Sequence, residues 1–321
     1  MKILVTGGAG FIGSHVVDGY LKAGHEVVVV DDLSTGKQEN VNPEATFYEM
    51  DIRSEEVGKI MDKERPDVLN HHAAQISVPD SVSDPLTDAD INIRGFLNLL
   101  ENGIKHHIRK VIFISSGGAI YGHAEQYPTS EDFPPRPLSP YAVSKYASEY
   151  YLAYYGHQCG IPFTTLRYAN IYGPRQIPKG EAGVVSIFMT NLLAGRPCIL
   201  NHFPEEPSGM TRDYCYVGDV VKANEKALTG GAGQAFNIGT GQGTKTLDLF
   251  NIIYRAVNEI RPGLSEGLSI PERRQARPGD IPRSCLVVKK ARQELGWVPE
   301  TDLERGIRMT LGWGIKNMPD P

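Results

Sequence analysis

The sequence Thr6-Gly7-Gly8-Ala9-Gly10-Phe11-Ile12-Gly13 follows a short apolar run, Lys2–Thr6, and opens a helix-like stretch, Ile12–Ala23. Starting from Gly7, its glycines follow the spacing GxxGxxG. Glycines at a strand-to-helix turn permit a tight bend, let a pyrophosphate approach the backbone and allow the helix to pack closely on the strand. The first amides of the helix attract an anion. We predict a dinucleotide-binding turn; the alternative is a tight turn without a ligand.

Short apolar runs alternate with helix-like stretches through the first half of the chain. This alternation predicts an α/β fold, a doubly wound parallel sheet with helices on both faces. Val27–Val30 is a continuous β-branched run, as expected for a strand buried on both faces. The expected strands are Lys2–Thr6, Val27–Asp31, Thr46–Met50, Val68–His71, Val111–Ser115 and Phe163–Arg167, and the expected helices include Ile12–Ala23, Asp88–Lys105 and Ser139–His157.

After about residue 172 prolines and glycines become more frequent and break the chain into loops. We therefore expect a dinucleotide-binding domain over residues 1–172, with returning segments near 213–240. A smaller C-terminal substrate-binding domain is expected over residues 173–321.

Composition excludes several classes of protein. The 321 residues are 40% hydrophobic and carry a net charge of −5 without a basic stripe, which argues against nucleic-acid binding. No apolar stretch approaches the roughly 20 residues of a membrane-spanning helix, and the first residues do not form a signal peptide. The four cysteines lie far apart with no CxxC pair, so we expect a cytoplasmic protein without a metal site.

Asp31, at the end of the second expected strand, indicates which dinucleotide binds. A carboxylate there accepts hydrogen bonds from a ribose diol and repels a 2′-phosphate. The following residues, 32–36, supply no arginine to offset that repulsion, although Lys37 is close. NAD is therefore favoured over NADP.

Tyr141 and Lys145 lie four residues apart in the segment Tyr141-Ala142-Val143-Ser144-Lys145. In a helix capped by Ser139, with Pro140 at its first position, both side chains share one face. An ordinary tyrosine is a poor base at neutral pH, and a neighbouring ammonium lowers its pKa. The pair is a candidate acid/base; the alternative is an ordinary surface Tyr and Lys.

Ser116 follows the expected strand Val111–Ser115, at the edge where open α/β sheets bind ligands. Its hydroxyl could bond the reacting hydroxyl of a substrate and pass a proton to Tyr141. A serine that merely ends a strand is the alternative.

The sequence as a whole resembles the extended short-chain dehydrogenases/reductases, and within them the UDP-galactose (UDP-glucose) 4-epimerases. Thirteen blocks carry the resemblance in order along nearly the whole chain. They are TGGAGFIGSH at 6–15, DDLSTG at 31–36, Asp51-Ile52, HHAAQ at 71–75, Asn92, SSGGAIYG at 115–122, YAVSK at 141–145, LRYANIYGPRQ at 166–176, GEAGVVSIF at 180–188, TRDYCYVGDV at 211–220, FNIGTG at 236–241, RPGD at 277–280 and ELGWVP at 294–299.

The resemblance implies a Rossmann-type domain that binds NAD. The residues it assigns to the pyrophosphate are Gly7, Gly10, Phe11, Ile12 and Gly13. Those assigned to the adenosine half are Asp31, Asp32, Ser34, Thr35, Gly36, Asp51 and Ile52. Those assigned to the rest of the cleft are Ala73, Ala74, Gln75, Asn92, Ser115, Tyr141, Lys145 and Tyr168.

The resemblance also implies a UDP-sugar substrate. Tyr141 would take the proton of the 4-hydroxyl with the help of Ser116, hydride would pass to NAD and return to the opposite face of a 4-keto sugar, and NAD would stay bound. Arginine forks suit the diphosphate independently of the family. The residues assigned to the substrate are Ser116, Tyr141, Asn170, Val184, Arg212, Tyr214, Arg277, Asp280 and Ser284.

Three features depart from the family pattern. Residues 117–120, Gly-Gly-Ala-Ile, hold no acid, which argues against dehydration and decarboxylation, while the Gly-Gly pair leaves Ser115 as a second candidate for the catalytic hydroxyl. The loop 201–210 is longer and more acidic than the usual short turn. Ser284 stands where the family carries a bulky Tyr, so N-acetylated sugars are expected to be accepted as well as plain hexoses.

Other interpretations remain at this point. A UDP-glucuronate epimerase or a 4-keto-sugar reductase would share most of these residues, and a non-catalytic NAD-binding module would keep only the cofactor site. The resemblance further implies a homodimer built on two helices per subunit. Tyr146–Tyr155 is a candidate contributor, although its aromatic residues are equally consistent with an internal core face.

Overall fold

The computed structural model describes residues 1–178, 183–277 and 280–317. Its strands are β1 Lys2–Thr6, β2 Glu26–Asp31, β3 Thr46–Glu49, β4 Val68–His71, β5 Lys110–Ser116, β6 Phe163–Tyr168, β7 Asn170–Tyr172, β8 Ile199–His202, β9 Thr211–Tyr216, β10 Gln234–Ile238, β11 Gly243–Lys245, β12 Glu272–Gln275 and β13 Arg283–Ser284. Its α-helices are α1 Phe11–Lys22, α2 Val57–Glu64, α3 Val78–Ser83, α4 Pro85–Ala89, α5 Gly95–Lys105, α6 Pro140–Cys159, α7 Val184–Leu193, α8 Val217–Ala227, α9 Thr246–Ile260 and α10 Leu303–Asn317.

Seven strands form one parallel sheet in the order β10-β6-β5-β4-β1-β2-β3. The six strands predicted from the sequence all lie in this sheet, with ends that differ by at most one residue. The seventh, β10, was not predicted as a strand; it comes from the second half of the chain and pairs with β6.

Both faces of the sheet are buried, as the β-branched runs predict. Ile3 and Val5 of β1 belong to one apolar core, which α1 and α8 complete. Leu4, between them, belongs to a second core with side chains of α2, α5 and α6. Since successive strand residues point to opposite faces, two cores on one strand require helices on both sides. The predicted doubly wound Rossmann-type α/β fold is confirmed.

The predicted helix Asp88–Lys105 ends where predicted, at Lys105, but its start and its regularity are wrong. The helical segment begins earlier, at Pro85, where Asp84 caps α4 by accepting a bond from the Thr87 amide. A π-helical turn, Asp90–Arg94, then joins α4 to α5. Wider turns of this kind are frequent at functional sites, and this one carries Asn92.

The strand order places a ligand site at the carboxyl ends of β1 and β4. The chain builds the sheet outward from β1 to β3 and then returns to the other side of β1 with β4. Open α/β sheets bind ligands outside the carboxyl ends of the strands at such a switch point. The turn after Thr6, the loop after His71 and the end of β5 at Ser116 meet there.

Smaller sheets lie in the second half of the chain. Strand β9 pairs with β7, β11 and β13, and β8 pairs with β12. Among the described residues no helix is long and apolar enough to cross a bilayer. Nor does that part of the chain contain a group of three or more His, Cys, Asp or Glu side chains that could hold a metal ion.

Candidate active site

The glycine turn after β1 is built by close backbone contacts. Gly7 has a φ of +70°, and a Cβ there would lie 2.6 Å from the backbone nitrogen of Ala73. A Cβ at Gly13 would lie 2.1 Å from the Gly7 carbonyl oxygen. Gly10 precedes Phe11, the first residue of α1, and has no side chain to cap the first amides of the helix. Those amides can bond phosphate oxygens, so the turn fits a pyrophosphate.

Asp31 is held firmly at the end of β2. Its side chain is buried and accepts one bond from the Ala9 amide and one from the Leu33 amide, both at 2.9 Å. Burial raises the pKa of Asp31, and these backbone bonds oppose the increase. The carboxylate therefore links the glycine turn to the loop after β2, where a ribose would lie.

Asp32, its neighbour, has a different environment. Its carboxylate accepts bonds from the amide and the hydroxyl of Ser34 and orders the exposed loop that continues through Thr35 and Gly36. Lys37, the nearest cation in sequence, bonds Glu39 instead. Asp31 is thus the better placed of the two carboxylates for a buried ribose contact.

The loop after β4 is tied to β1. Thr6 Oγ1 lies 2.7 Å from His71 Nδ1 and accepts a bond from the Ala73 amide at 3.3 Å. The His71 ring stacks on Phe96, with 4.8 Å between the ring centroids. These contacts bring Ala73 and the following Ala74 beside the glycine turn.

Gln75, Asn92 and Asp88 form a buried cluster at the next step of this loop. The backbone amide of Gln75 donates to Asn92 Oδ1 at 2.9 Å, and Asn92 Nδ2 donates back to the backbone carbonyl of Gln75 at 3.0 Å. Both side chains also donate to Asp88 Oδ1, each at 3.0 Å. The π-helical turn therefore positions Asn92 to fix the predicted cofactor loop.

Asp51 and Ile52 lie after β3, at the adenine side predicted from the sequence. Arg53 bonds the Asp51 carboxylate and also reaches Asp90, 2.7 Å away. These bonds lower the pKa of Asp51. Ile52 is buried against Gly95 at the start of α5. Arg53 was not singled out from the sequence.

Tyr141 and Lys145 lie one turn apart on α6. As predicted, Ser139 caps this helix by accepting a bond from the Ala142 amide at 3.2 Å, and Pro140 is its first residue. The Lys145 ammonium is buried and donates to the Ile114 carbonyl at 2.9 Å. The acid/base pair is therefore anchored to the central strand β5.

Burial changes the acidity of both groups. It raises the pKa of Tyr141 to about 12, and a side-chain hydrogen bond with Ser116 opposes the increase. It lowers the pKa of Lys145 to about 8, and the charges of Asp88 and Glu149 oppose the decrease. Near neutral pH Lys145 is thus mainly protonated, as a cation that stabilises a phenolate must be.

Ser115 and Ser116 point to different partners. Ser115 Oγ donates to Glu149 at 2.5 Å, and Glu149 is paired with Arg167 at 2.6 Å. Both members of that ion pair are almost fully buried. Ser116 lies close enough to Tyr141 to lower the pKa of its phenol. This geometry favours Ser116 over Ser115 as the hydroxyl next to the acid/base.

Tyr168 ends β6 opposite Ser116 in the sheet register. Its hydroxyl accepts a bond from Asn224 Nδ2 at 2.6 Å, and its ring lies 6.5 Å from the His72 ring. The phenol therefore supports the floor of the cleft from within the core.

Asn170 and Tyr214 lie opposite each other in β7 and β9, on the substrate side. Asn170 Oδ1 is buried with no hydrogen-bond partner in the described part of the chain, and a Cβ at Gly118 would lie 3.7 Å from it. A buried acceptor without a donor is costly, so this atom suits a ligand hydroxyl or amide. Val184 begins α7 nearby in the chain, after residues 179–182, which lie outside the described residues.

Arg212 and Ser284 are also opposite residues, in β9 and β13. Arg212 Nη1 donates to the Thr211 carbonyl at 3.0 Å. Ser284 is buried and shares the lining of a small cavity with Gly117, Gly118 and Tyr121. The loop after β5 and the segment of Ser284 thus meet around one space, although they are far apart in sequence.

Arg277 and Asp280 flank residues 278 and 279, which lie outside the described residues. The Arg277 amide donates to Asp280 Oδ2 at 2.8 Å, so the two ends of this short segment are joined. The acidic loop 201–210 is neutralised in part, because Glu206 pairs with Arg283 and with Lys245.

Asp88, Arg53, Glu149 and Arg167 were missed from the sequence. Asp88, Glu149 and Arg167 act through partners far away in the chain, as Arg53 does through Asp90, and no short motif marks them. The one available signal was an acidic residue four positions before Asn92 in a helical pattern.

The chain is similar to known proteins over nearly its whole length. A model of the NAD dependent epimerase/dehydratase family matches residues 3–239. A putative UDP-glucose 4-epimerase of Methanocaldococcus jannaschii is 44% identical over 98% of both chains. A UDP-glucose 4-epimerase of Mycolicibacterium smegmatis is 44% identical over 97% of both.

Solved structures of UDP-glucose 4-epimerases are also similar to this chain. The UDP-glucose 4-epimerase of Thermotoga maritima with UDP-glucose is 46% identical, with a TM-score of 0.92, and the match covers 99% of this chain and 100% of that one. The UDP-glucose 4-epimerase of Thermus thermophilus in complex with NAD is 44% identical, with a TM-score of 0.90 and the same coverage. The chain we describe therefore belongs to the NAD dependent epimerase/dehydratase family.

Proposed function

We propose that this protein is an NAD-dependent UDP-sugar 4-epimerase that interconverts UDP-glucose and UDP-galactose. The observation that carries the proposal is the arrangement of Tyr141, Lys145 and Ser116 beside the glycine turn. The relatives named as UDP-glucose 4-epimerases over almost the full chain support the same reaction.

NAD binds across the carboxyl ends of β1 and β4 in this proposal. The glycine turn and the first residues of α1 hold the pyrophosphate, and Asp31 holds the adenosine ribose. The residues that complete the site are Phe11, Ile12, Asp32, Ser34, Thr35, Gly36, Asp51, Ile52, Ala73, Ala74, Gln75, Asn92, Ser115, Tyr141, Lys145 and Tyr168.

The chemistry at C4 is a paired transfer of one hydride and one proton. When bound, NAD accepts the hydride from C4 and later returns it. Tyr141 Oη takes the proton of the 4-hydroxyl, with Ser116 Oγ bonded between them, and gives it back when the carbonyl is reduced. Since burial holds the pKa of Tyr141 high, its phenolate needs a cation, and Lys145 is the cation on the same face of α6.

The substrate is held by its nucleotide end in this mechanism. Arg212, Arg277 and Asn170 bind the diphosphate, while Val184, Tyr214 and Asp280 complete the surrounding pocket. The 4-keto sugar then turns about this anchor so that its opposite face receives the hydride. Gly118, where an added Cβ would meet no atom closer than Asn170 Oδ1 at 3.7 Å, leaves room for the turn, and no acidic side chain in residues 117–120 assists loss of water.

We also propose that N-acetylated sugars are accepted. Ser284 is a small, buried residue beside Gly117 and Gly118, and a bulky residue at its position would crowd the C2 substituent.

The same proposal includes three further points: the protein forms a homodimer, it is cytoplasmic, and it divides into two domains. Tyr150, Tyr151 and Tyr154 of α6 are 64%, 41% and 57% exposed, which supports a subunit contact along this helix. Tyr155 of the same stretch is buried and belongs to the internal core instead. The domains are residues 1–172, with returning segments near 213–240, and 173–321.

One assay tests the activity directly. Purified protein without added NAD is incubated with UDP-, dTDP- and GDP-sugars, and the products are separated. We expect UDP-glucose and UDP-galactose to interconvert to the same equilibrium from either side, without net change in nicotinamide absorbance. A reaction that consumes added NADH stoichiometrically would identify a reductase, and no conversion of any UDP-sugar would refute the proposal.

A further inference from the structure

Asp88 is a buried carboxylate that the mechanism above does not use. It is 1% exposed, and three neutral side chains hold it. Ser144 Oγ donates to its Oδ2 at 2.6 Å, and Asn92 and Gln75 donate to its Oδ1 at 3.0 Å each. A buried anion held only by neutral donors keeps most of its charge unscreened, so it acts strongly on nearby ionisable groups.

The partners of Asp88 place it directly behind the acid/base helix. Ser144 lies between Tyr141 and Lys145 on α6, and its hydroxyl points to α4. Gln75 belongs to the loop that borders the cofactor cleft, and Asn92 joins that loop to the π-helical turn. One carboxylate thus connects α4, the cofactor loop and the helix that carries the proton-transferring phenol.

We propose that Asp88 is a positioning residue for the reaction: it fixes α6 through Ser144 and supplies the negative charge that keeps the buried Lys145 ammonium protonated. This inference rests on the proposed function, because it requires Tyr141 and Lys145 to be the acid/base pair.

The other charged and titratable groups around Lys145 do not replace Asp88. From β4, His71 and His72 face it, and burial together with the Lys145 charge lowers the pKa of His72 to about 3, so both rings are neutral. From its own helix Glu149 faces it, but that carboxylate is committed to Arg167 of β6. Asp88 is therefore the anion near Lys145 that no described cation neutralises by direct pairing.

The direction of the effect follows from the charges. Asp88 raises the pKa of both Lys145 and Tyr141, because a negative charge favours the ammonium and disfavours the phenolate. Removal of that charge moves both titrations to lower pH. We therefore expect both limbs of a pH profile to move to lower pH when the charge of Asp88 is removed.

The test compares pH profiles of kcat for the wild-type holoenzyme, Asp88→Asn and Ser144→Ala. Asparagine keeps the size of the side chain and removes only its charge. We expect the alkaline limb of Asp88→Asn to move down by roughly one pH unit, which is about a tenfold loss of kcat above pH 9, with KM little changed. Ser144→Ala loses one anchoring bond and keeps the charge, so its kcat falls by about threefold or less while both limbs stay in place.

Each outcome decides the question. A uniform loss of kcat at all pH values in Asp88→Asn would show that the carboxylate has only a structural role. Asp88→Ser is the second neutral variant. If both variants fail to bind NAD and fail to melt cooperatively, Asp88 is needed for folding and the proposal is overturned. The proposed function is judged separately, by wild-type turnover and its loss in Tyr141→Phe.

Discussion

The hydroxyls of Ser115 and Ser116 are adjacent in the chain and meet different side chains of α6. Ser115 donates to the Glu149–Arg167 pair, whereas Ser116 lies close enough to the Tyr141 phenol to lower its pKa. Glu149 and Tyr141 lie eight residues apart on α6, so the two serines meet separate parts of that helix, and only Ser116 lies next to the proposed acid/base. This relationship yields a matched pair of substitutions.

Ser116→Ala is expected to lower kcat by about 10²-fold, and Tyr141→Phe by about 10⁴-fold, because both remove groups on the proton path. Ser115→Ala leaves that path intact and removes a bond to Glu149, so it should cost about 1 kcal/mol of folding free energy and little kcat. Steady-state epimerisation assays and urea denaturation give the three values. A larger loss of kcat in Ser115→Ala than in Ser116→Ala would reverse our assignment.

Asp31→Ser is expected to weaken NAD binding by about 30-fold, since hydrogen bonds to a charged group contribute about 2 kcal/mol. It should also narrow the preference for NAD over NADP, because the charge that repels a 2′-phosphate is gone. Asp32→Ser is the control: its carboxylate bonds Ser34 in an exposed loop, so its effect should be severalfold smaller. Titration of the stripped protein with each dinucleotide measures all four affinities, and equal losses in both variants would contradict the distinction.

Local sequence signals predicted the parts of the site that are local in the structure. The cap of α6 by Ser139 depends on residues within one turn of each other, and the glycine spacing of the turn after β1 lies within eight consecutive residues. Asp31 was predicted from its place at the end of a strand, although it bonds the distant Ala9 amide. Asp88 could not be predicted this way, because its partners Gln75 and Ser144 come from segments that only the folded sheet brings together. The π-helical turn could not be predicted from the sequence either, because it differs from an α-helix in its hydrogen-bond pattern and not in its apolar periodicity.

Activity should fall as the pH rises above about 8, because the pKa of Lys145 lies near that value and the neutral amine no longer stabilises the phenolate. Lys110 provides a control, since burial also lowers its pKa to about 8. It lies at the start of β5, at the opposite end of the strand from the cleft, and its ammonium donates to the Gly230 carbonyl. Lys110→Met should keep the alkaline limb of kcat. A limb that disappears in Lys110→Met would show that it does not report Lys145.

Deprotonation of Lys110 and Lys145 should raise the stability of the folded protein, whereas deprotonation of Lys145 lowers its activity. Between pH 8 and 10.5 the unfolded chain keeps these protons and the folded chain releases them, so the free energy of unfolding rises with pH through that window. Urea denaturation at fixed intervals from pH 7.5 to 10 measures the slope. The slope should become smaller in Lys110→Met, where only one buried amine remains.

Gly13→Ala should destabilise the protein by about 2 kcal/mol or more and abolish NAD binding, because its Cβ would lie 2.1 Å from the Gly7 carbonyl oxygen. Gly312→Ala is the matched control: it lies within α10, and outside its own stretch of that helix no described atom comes within 4 Å of an added Cβ. That variant should gain about 0.5–1 kcal/mol from helix propensity. A Gly13→Ala protein that bound NAD normally would show that the turn can relax.

Ser284→Tyr should separate the two classes of substrate. The serine is buried beside Gly118 and Tyr121, and the small cavity there cannot hold an aromatic ring, so a phenol must extend toward the proposed substrate pocket. Loss of room for an N-acetyl group should lower kcat/KM for UDP-N-acetylglucosamine by at least about tenfold, while the value for UDP-glucose stays within about threefold. Ser284→Ala removes the hydroxyl without adding bulk and should leave the ratio of the two values as in the wild type. If Ser284→Tyr also left that ratio unchanged, the C2 substituent would have to lie elsewhere, and acceptance of N-acetylated sugars could not be attributed to this residue.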